Sequence, residues 1–205
     1  MTNMKNQLAN PAPLGLMGFG MTTILLNIHN AGFFPFSAMV LAMGLCYGGI
    51  AQVIAGILEF RKNNTFGLTA FTSYGFFWIS LVVLLVMPRM GLADATSAEF
   101  MGCYLALWGI FTAFMWVGTL AGNKALQFVF ASLTVLFALL AIHNFTHSEV
   151  LGHIAGWVGI VCGSSAIYLA MAEVINEQHG RTVLPIGEPK AKTARTVTTE
   201  TLAVS

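Results

Sequence analysis

Six stretches, each about twenty residues long and nearly free of charge, leave this chain few ways to fold. They run at about 14 to 34, 37 to 59, 66 to 87, 100 to 120, 125 to 145 and 150 to 172. Between them lie polar or turn-forming breaks: Arg61-Lys62-Asn63-Asn64, then Pro88-Arg89-Met90-Gly91 through Glu99, Gly122-Asn123-Lys124, and His147-Ser148-Glu149. Each run is long enough to cross a bilayer, and the short breaks make successive helices antiparallel neighbours. Composition agrees, since 57% of the 205 residues are hydrophobic and 8% charged, against about 25% charged in soluble proteins. The chain therefore reads as an all-α integral membrane protein with six transmembrane helices per protomer.

Basic residues set the expected orientation. With the N-terminus inside, Lys5, Arg61, Lys62, Lys124, Arg181, Lys190, Lys192 and Arg195 are cytoplasmic and Arg89 alone is outside, so both termini are expected in the cytoplasm. The expected division is a cytoplasmic N-terminal segment over 1–13, a six-helix transmembrane domain over 14–175 and a cytoplasmic tail over 176–205. Beyond Pro185 the Lys, Thr, Ala and Val residues lack helical periodicity and read as flexible. A net charge of +1 with no dense basic block argues against nucleic acid as a partner. Cys46, Cys103 and Cys162 lie far apart in apolar runs and read as small packing residues, not as a disulfide or metal site.

The first span opens with Asn10-Pro11-Ala12-Pro13-Leu14-Gly15-Leu16. Two prolines two residues apart call for an extended entry and a helix beginning at about Pro13 or Leu14. First-turn amides without intrahelical acceptors, together with the helix dipole, favour an anion there, and the Asn10 amide can cap the turn or donate to a solute. An ordinary proline-initiated helix start explains the same residues.

No charge falls in the middle of a span, but neutral polar groups do. Phe19, Thr23 and Asn27 recur every fourth residue and share a face of the first helix. Thr65, Thr69, Thr72, Ser73 and Ser80 form a stripe beside Tyr74 on the third. Ser132 and Asn144 lie on the fifth, and Ser164, Ser165 and Tyr168 on the sixth. Any one hydroxyl can bond back to its own helix, yet their presence on four helices argues for a polar-lined path. Leu133, taken alone, reads as a packing residue. Glu59 and Glu173 stand at cytoplasmic helix ends, where they anchor the ends in water or serve proton coupling or gating; His29 is the other candidate proton carrier. His143, His147, Glu149 and His153 have spacing that can bind zinc, but an outer-rim position suits wet interfacial histidines better, so no metal is expected. Small residues at four-residue spacing, Gly44/Gly48, Gly152/Gly156 and Gly159/Gly163, mark helix contacts within a bundle or between subunits. Phosphate loops and nucleophile elbows are missing, so neither an enzyme nor a cofactor is called for.

The Asn10 to Leu16 motif resembles the signature of the acetate uptake transporter family. Tyr47-Gly48-Gly49-Ile50-Ala51-Gln52, the run Asn64 to Gly75 and Gly180-Arg181-Thr182-Val183-Leu184-Pro185 extend the resemblance over nearly the full length. It implies passage of acetate, and of succinate, across the inner membrane by a homo-hexamer with one pore within each protomer. It assigns a constriction to Phe19, Tyr74 and Leu133, and links substrate preference to Leu133 and Ala166. Asn10 and Gly15 are then expected to collect the anion, with Thr23, Ser73 and Tyr74 donating hydrogen bonds along the way. Membrane lipid and small carboxylates are the expected partners. Channel-like passage, proton-coupled symport and a membrane carboxylate sensor or scaffold remain open at this point.

Overall fold

A computed structural model describes residues 8–188 of the chain. The tail from 189 onward, together with Lys5, Lys190, Lys192 and Arg195, lies outside the described residues. Among the described residues six helices are long and apolar enough to span a membrane: α1 (Ala12–Asn30), α2 (Ala38–Phe60), α3 (Thr65–Met90, α-helical over Thr65–Val86), α4 (Ala98–Thr119), α5 (Lys124–Thr146) and α6 (Glu149–His179).

The helix ends follow local chemistry. Pro11 caps α1, so the helix begins one residue before Pro13, which is accepted in the first turn because its missing N–H is not needed there. It stops at Asn30, short of Phe34, because Gly32 takes φ +85° and Pro35 follows. Side-chain oxygens of Asn64, Ser97 and Asn123 accept from Gly67, Phe100 and Leu126 amides at the starts of α3, α4 and α5. Replacing Asn123 with Ala should therefore cost about 1 kcal/mol, read as a lower thermal unfolding midpoint of the detergent-solubilised protein. The sixth helix outruns the expected 172 and reaches His179, where Gly180 at φ +60° ends it.

Two features escaped the periodicity argument. The second span is not a uniform α-helix: Gly44–Ala51 is a π-helix between Ala38–Met43 and Gln52–Phe60. Thr22 Oγ1 of α1 donates to the Met43 carbonyl at its entrance, 3.3 Å away. The second feature is the stretch after α6. Asn176 donates to the Leu184 carbonyl and accepts from the Val183 and Leu184 amides, while the Ile186 and Gly187 carbonyls accept from the first two amides of α5. Residues up to Gly187 are thus strapped across the helix ends, and the first-turn donors of α5 find partners there.

The glycine pairs settle into one protomer. Gly20 and Gly163 lie against each other's carbonyls, Gly156 lies against the Asn30–Ala31 backbone and Gly159 against the Asn27 side chain, so α1 and α6 approach with little between them. Gly48 seats Thr22 and Trp78. Of the tryptophans, Trp78 is buried and Trp108 packs on Tyr74 and Phe77, while Trp116 and Trp157 are exposed. Tyr74, Phe77, Phe130 and Phe137 join Leu133 and Leu136 in the core where α1, α3, α5 and α6 meet.

Candidate functional site

Phe19, Tyr74 and Leu133 come from three helices and are buried to 6%, 3% and 3% exposure. They meet at one level of the bundle. The Phe19 and Tyr74 rings lie 6.2 Å apart, and Tyr74 is held by Phe111 and Phe130 at 5.5 and 6.1 Å. Two small cavities adjoin the three side chains, one on each side. Toward the termini a cavity of about 20 Å³ is lined also by Leu16, Gln52, Ala70, Phe71, Val129 and Phe130. On the other side a cavity of about 30 Å³ is lined also by Thr23, Asn27, Phe77, Trp78, Leu136 and Leu140. A buried water needs roughly 10–15 Å³, so each has room for a few waters at most. Phe19, Tyr74 and Leu133 border both cavities.

Around this closure stand polar atoms without partners. Thr23 Oγ1 and Trp78 Nε1 belong to residues lining the upper cavity, Gln52 Oε1 to one lining the lower, and all three are buried with no hydrogen bond. Native proteins rarely leave such atoms orphaned, because each costs about 1–3 kcal/mol. The Thr23 hydroxyl and the Trp78 indole N–H are donors a passing carboxylate can use, whereas the Gln52 oxygen only accepts and suits a water or a protonated acid, the carboxylate's partner on Gln52 being the amide NH₂. Gln52 and Trp78 were not singled out from sequence. A glutamine amide in mid-span was the available signal for the first, and its position at the end of the π-helical stretch brings it to the cavity.

The other expected donors fare differently. Tyr74 donates its hydroxyl hydrogen to Thr112 Oγ1 at 2.9 Å, and Thr112 donates to the Trp108 carbonyl at 2.7 Å. Tyr74 thus supplies a ring to the closure and has its hydrogen committed elsewhere. Ser73 is half-buried and lines neither cavity. The rest of the α3 stripe does not form a path: Thr65 and Thr69 are exposed, Thr72 packs against Gly56, and Ser80 bonds Phe77 and Tyr104. Ser132, Asn144 and Ser165 bond back to their own helices. Ala166 is fully buried one turn beyond Cys162, whose thiol contacts the Val129 carbonyl, but it lines neither cavity.

At the termini face a second cluster gathers. Asn10 donates to Glu173 at 2.8 Å and accepts from Lys62 at 3.1 Å, while Asn64 donates to Glu59 at 2.8 Å. One of the two Asn10 amide hydrogens is spent on Glu173, which fixes the amide beside that carboxylate. Gly15 is pressed against the Phe71 ring. Glu59 is 1% exposed with Oε1 unpartnered, and stands two helical turns from Gln52 on the same face of α2. It is no surface anchor. On the opposite face His29 Nδ1 donates to the Phe34 carbonyl, 2.9 Å away, and His147 pairs with Glu99 at 3.4 Å, apart from His143. No group of three His, Cys, Asp or Glu side chains among the described residues is arranged to hold a metal ion.

Comparison with known proteins matches residues 1–188 to the GPR1/FUN34/yaaH family. The chain is 68% identical over 182 residues to the succinate-acetate/proton symporter SatP of Escherichia coli K12, covering 89% of this chain and 97% of that one. It is 31% identical to acetate permease A of Emericella nidulans, covering 91% of this chain and 69% of the fungal protein. A solved structure described as the bacterial acetate channel SatP superimposes with a TM-score of 0.88 at 67% identity, covering 88% of this chain and all of that one.

Proposed function

This chain belongs to the GPR1/FUN34/yaaH family, and on that premise we propose that it passes acetate and related short carboxylates, succinate among them, across the inner membrane. The path runs within each protomer of a homo-hexamer, with both termini in the cytoplasm and Arg61, Lys62, Lys124 and Arg181 on the cytoplasmic side. One observation carries this reading. Buried orphan atoms of Thr23, Gln52 and Trp78 belong to the walls of two cavities that Phe19, Tyr74 and Leu133 separate.

The chemistry suits a small carboxylate. Hydroxyl, indole and amide groups replace part of its water without a fixed positive charge that would hold it. The ring-and-leucine closure excludes wider or more hydrated solutes. Lys62, beside the Asn10 to Gly15 helix start, supplies the cytoplasmic charge that Asn10, bound to Glu173, does not offer. Ala166, fully buried in the same apolar core as Leu133, acts on selectivity from there. Nothing in this work is covalent, and passage does not require an enzyme.

Similar proteins are described both as a proton symporter and as a channel. Glu59 favours keeping the second reading, being a buried carboxyl with an oxygen free to carry a proton, backed by Glu173. Purified protein in liposomes separates them. A channel gives acetate flux at fixed voltage with no pH gradient, and a proton gradient alone drives no accumulation. Accumulation that Glu59→Gln abolishes while downhill exchange survives would establish symport through Glu59. Saturable acetate binding without any flux would instead favour a sensor or scaffold and overturn both.

A further inference from the structure

Along α4 the large side chains Phe100, Leu107, Ile110, Phe114 and Val117 are exposed, as suits a helix at the edge of its bundle. On its inner side Thr112 is fully buried, and its hydroxyl is used twice. It donates to the Trp108 carbonyl at 2.7 Å and accepts from Tyr74 at 2.9 Å. A threonine that only satisfied itself on its own helix would need the first bond alone. The second ties α4 to one of the three side chains at the closure.

Chemistry fixes the direction of this chain of bonds. A backbone carbonyl only accepts, so the Thr112 hydrogen goes to Trp108, its oxygen is left as an acceptor, and the hydrogen between the two hydroxyls is Tyr74's. The phenolic oxygen lies at the tip of the ring, as far from the α3 backbone as the side chain reaches, so holding it fixes where the ring stands. Phe111 meets the ring at 5.5 Å and Trp108 at 6.2 Å, both from the turn of α4 that ends at Thr112. On the side of the path Phe19 comes against the ring at 6.2 Å, and Leu133 borders both cavities with it. Ring contacts tolerate a range of separations and tilts; a hydrogen bond is lost over a few tenths of an ångström.

A second bridge of the same kind lies elsewhere on the same two helices. Ser80 Oγ of α3 and the Tyr104 hydroxyl of α4 are 2.8 Å apart, and both reach the Phe77 carbonyl. Neither Ser80 nor Tyr104 lines the cavities beside the closure. The helices are therefore joined without Thr112, whose bond acts at the level of Phe19, Tyr74 and Leu133.

We propose that Thr112 is a positioning residue that sets substrate selectivity: by holding the Tyr74 hydroxyl it fixes how far that ring stands from Phe19 and Leu133, and so how wide a carboxylate passes. The inference rests on the passage proposed above and brings a further helix, α4, into the closure. With its tip released, the ring slides among its aromatic neighbours, and solutes wider than acetate gain.

The test uses the full-length protein in liposomes, with uptake of lactate and succinate measured against acetate. Thr112→Val keeps the shape and loses the acceptor, and should raise both ratios by about three- to tenfold. Thr112→Ser should keep them at the unaltered values, and Ser80→Ala, which breaks the other bridge, should leave them unchanged. Tyr74→Phe removes the same hydrogen bond from its other end, so it should raise the ratios alike, and the double variant should raise them no further. It also decides the matter should Thr112→Val not fold. A residue that merely supported the fold would lower uptake of every carboxylate in proportion; unchanged ratios, or effects that multiply in the double variant, would overturn the proposal. In micelles of protein ¹³C-labelled at tyrosine Cζ, the Tyr74 signal, assigned by its loss in Tyr74→Phe, should move in Thr112→Val and stay in Thr112→Ser. A signal that does not move in Thr112→Val removes the bond and the role with it. Absence of acetate flux in the unaltered protein removes the passage together with this role, whereas flux with unchanged ratios removes the role alone.

Discussion

Liposomes carrying Leu133→Ala should take up lactate and succinate faster relative to acetate than the unaltered protein does, by about tenfold, equivalent to ~1.4 kcal/mol off the barrier. Of the three residues at the closure, two are rings fixed from behind. Tyr74 is tied to Thr112 and wedged among Trp108, Phe111 and Phe130, and Phe19 leans on Tyr74. Leu133 is the aliphatic member, and it borders both cavities. Cutting it to a methyl joins the two cavities without asking either ring to move. A buried Leu→Ala change costs about 2–5 kcal/mol in a core, more where the site cannot collapse. A fluorescence-detected unfolding midpoint should accompany the transport ratio. An unchanged ratio in well-folded protein means that the solute does not pass Leu133.

The layout was far more legible than the site. Six spans could be counted because apolar length is the one property a bilayer reads directly. Their ends shifted by a few residues where a turn residue outweighed hydropathy, as at Gly32 and Pro35 after α1, or where the helix ran on to Gly180. The π-helical Gly44–Ala51 was hidden, since it depends on what Gly48 and Gly49 pack against and not on the period of their neighbours. At the closure, Leu133 is indistinguishable in sequence from any packing leucine, and the family resemblance alone singled it out; the structure then places it with Phe19 and Tyr74. Hydroxyls misled for a definable reason. In a helix, Ser and Thr can satisfy themselves on the preceding turn, as Ser132, Thr134 and Ser165 do here, so their number says little about a path. What distinguishes Thr23, Gln52 and Trp78 is that each has a buried atom without a partner and also lines one of the two cavities, whereas Thr72 and Glu59 share the first property and not the second, a difference only three dimensions reveal.

That distinction makes Gln52→Leu the sharpest probe of how the path works, because it should move stability and transport in opposite directions. Gln52 is 1% exposed and its Oε1 is unpaired, so the resting protein carries a desolvation cost of about 1–3 kcal/mol there. Leucine of similar size removes that cost, and the unfolding midpoint should rise. Acetate, however, reaches the lower cavity stripped of most of its water, and a hydrogen bond to a charged group is worth about 1.5–3 kcal/mol. Without the amide, flux should fall by about 10- to 100-fold. A structural glutamine would behave otherwise, since losing its bonds would lower stability and leave transport to follow passively. Thr23→Val, on the other side of the closure, should show the same opposition to a smaller degree, because a hydroxyl has one hydrogen to give and an amide has two. Should both variants be more stable and transport acetate undiminished, the solute would not be exchanging its hydration for these groups, and the closure alone would have to account for selectivity.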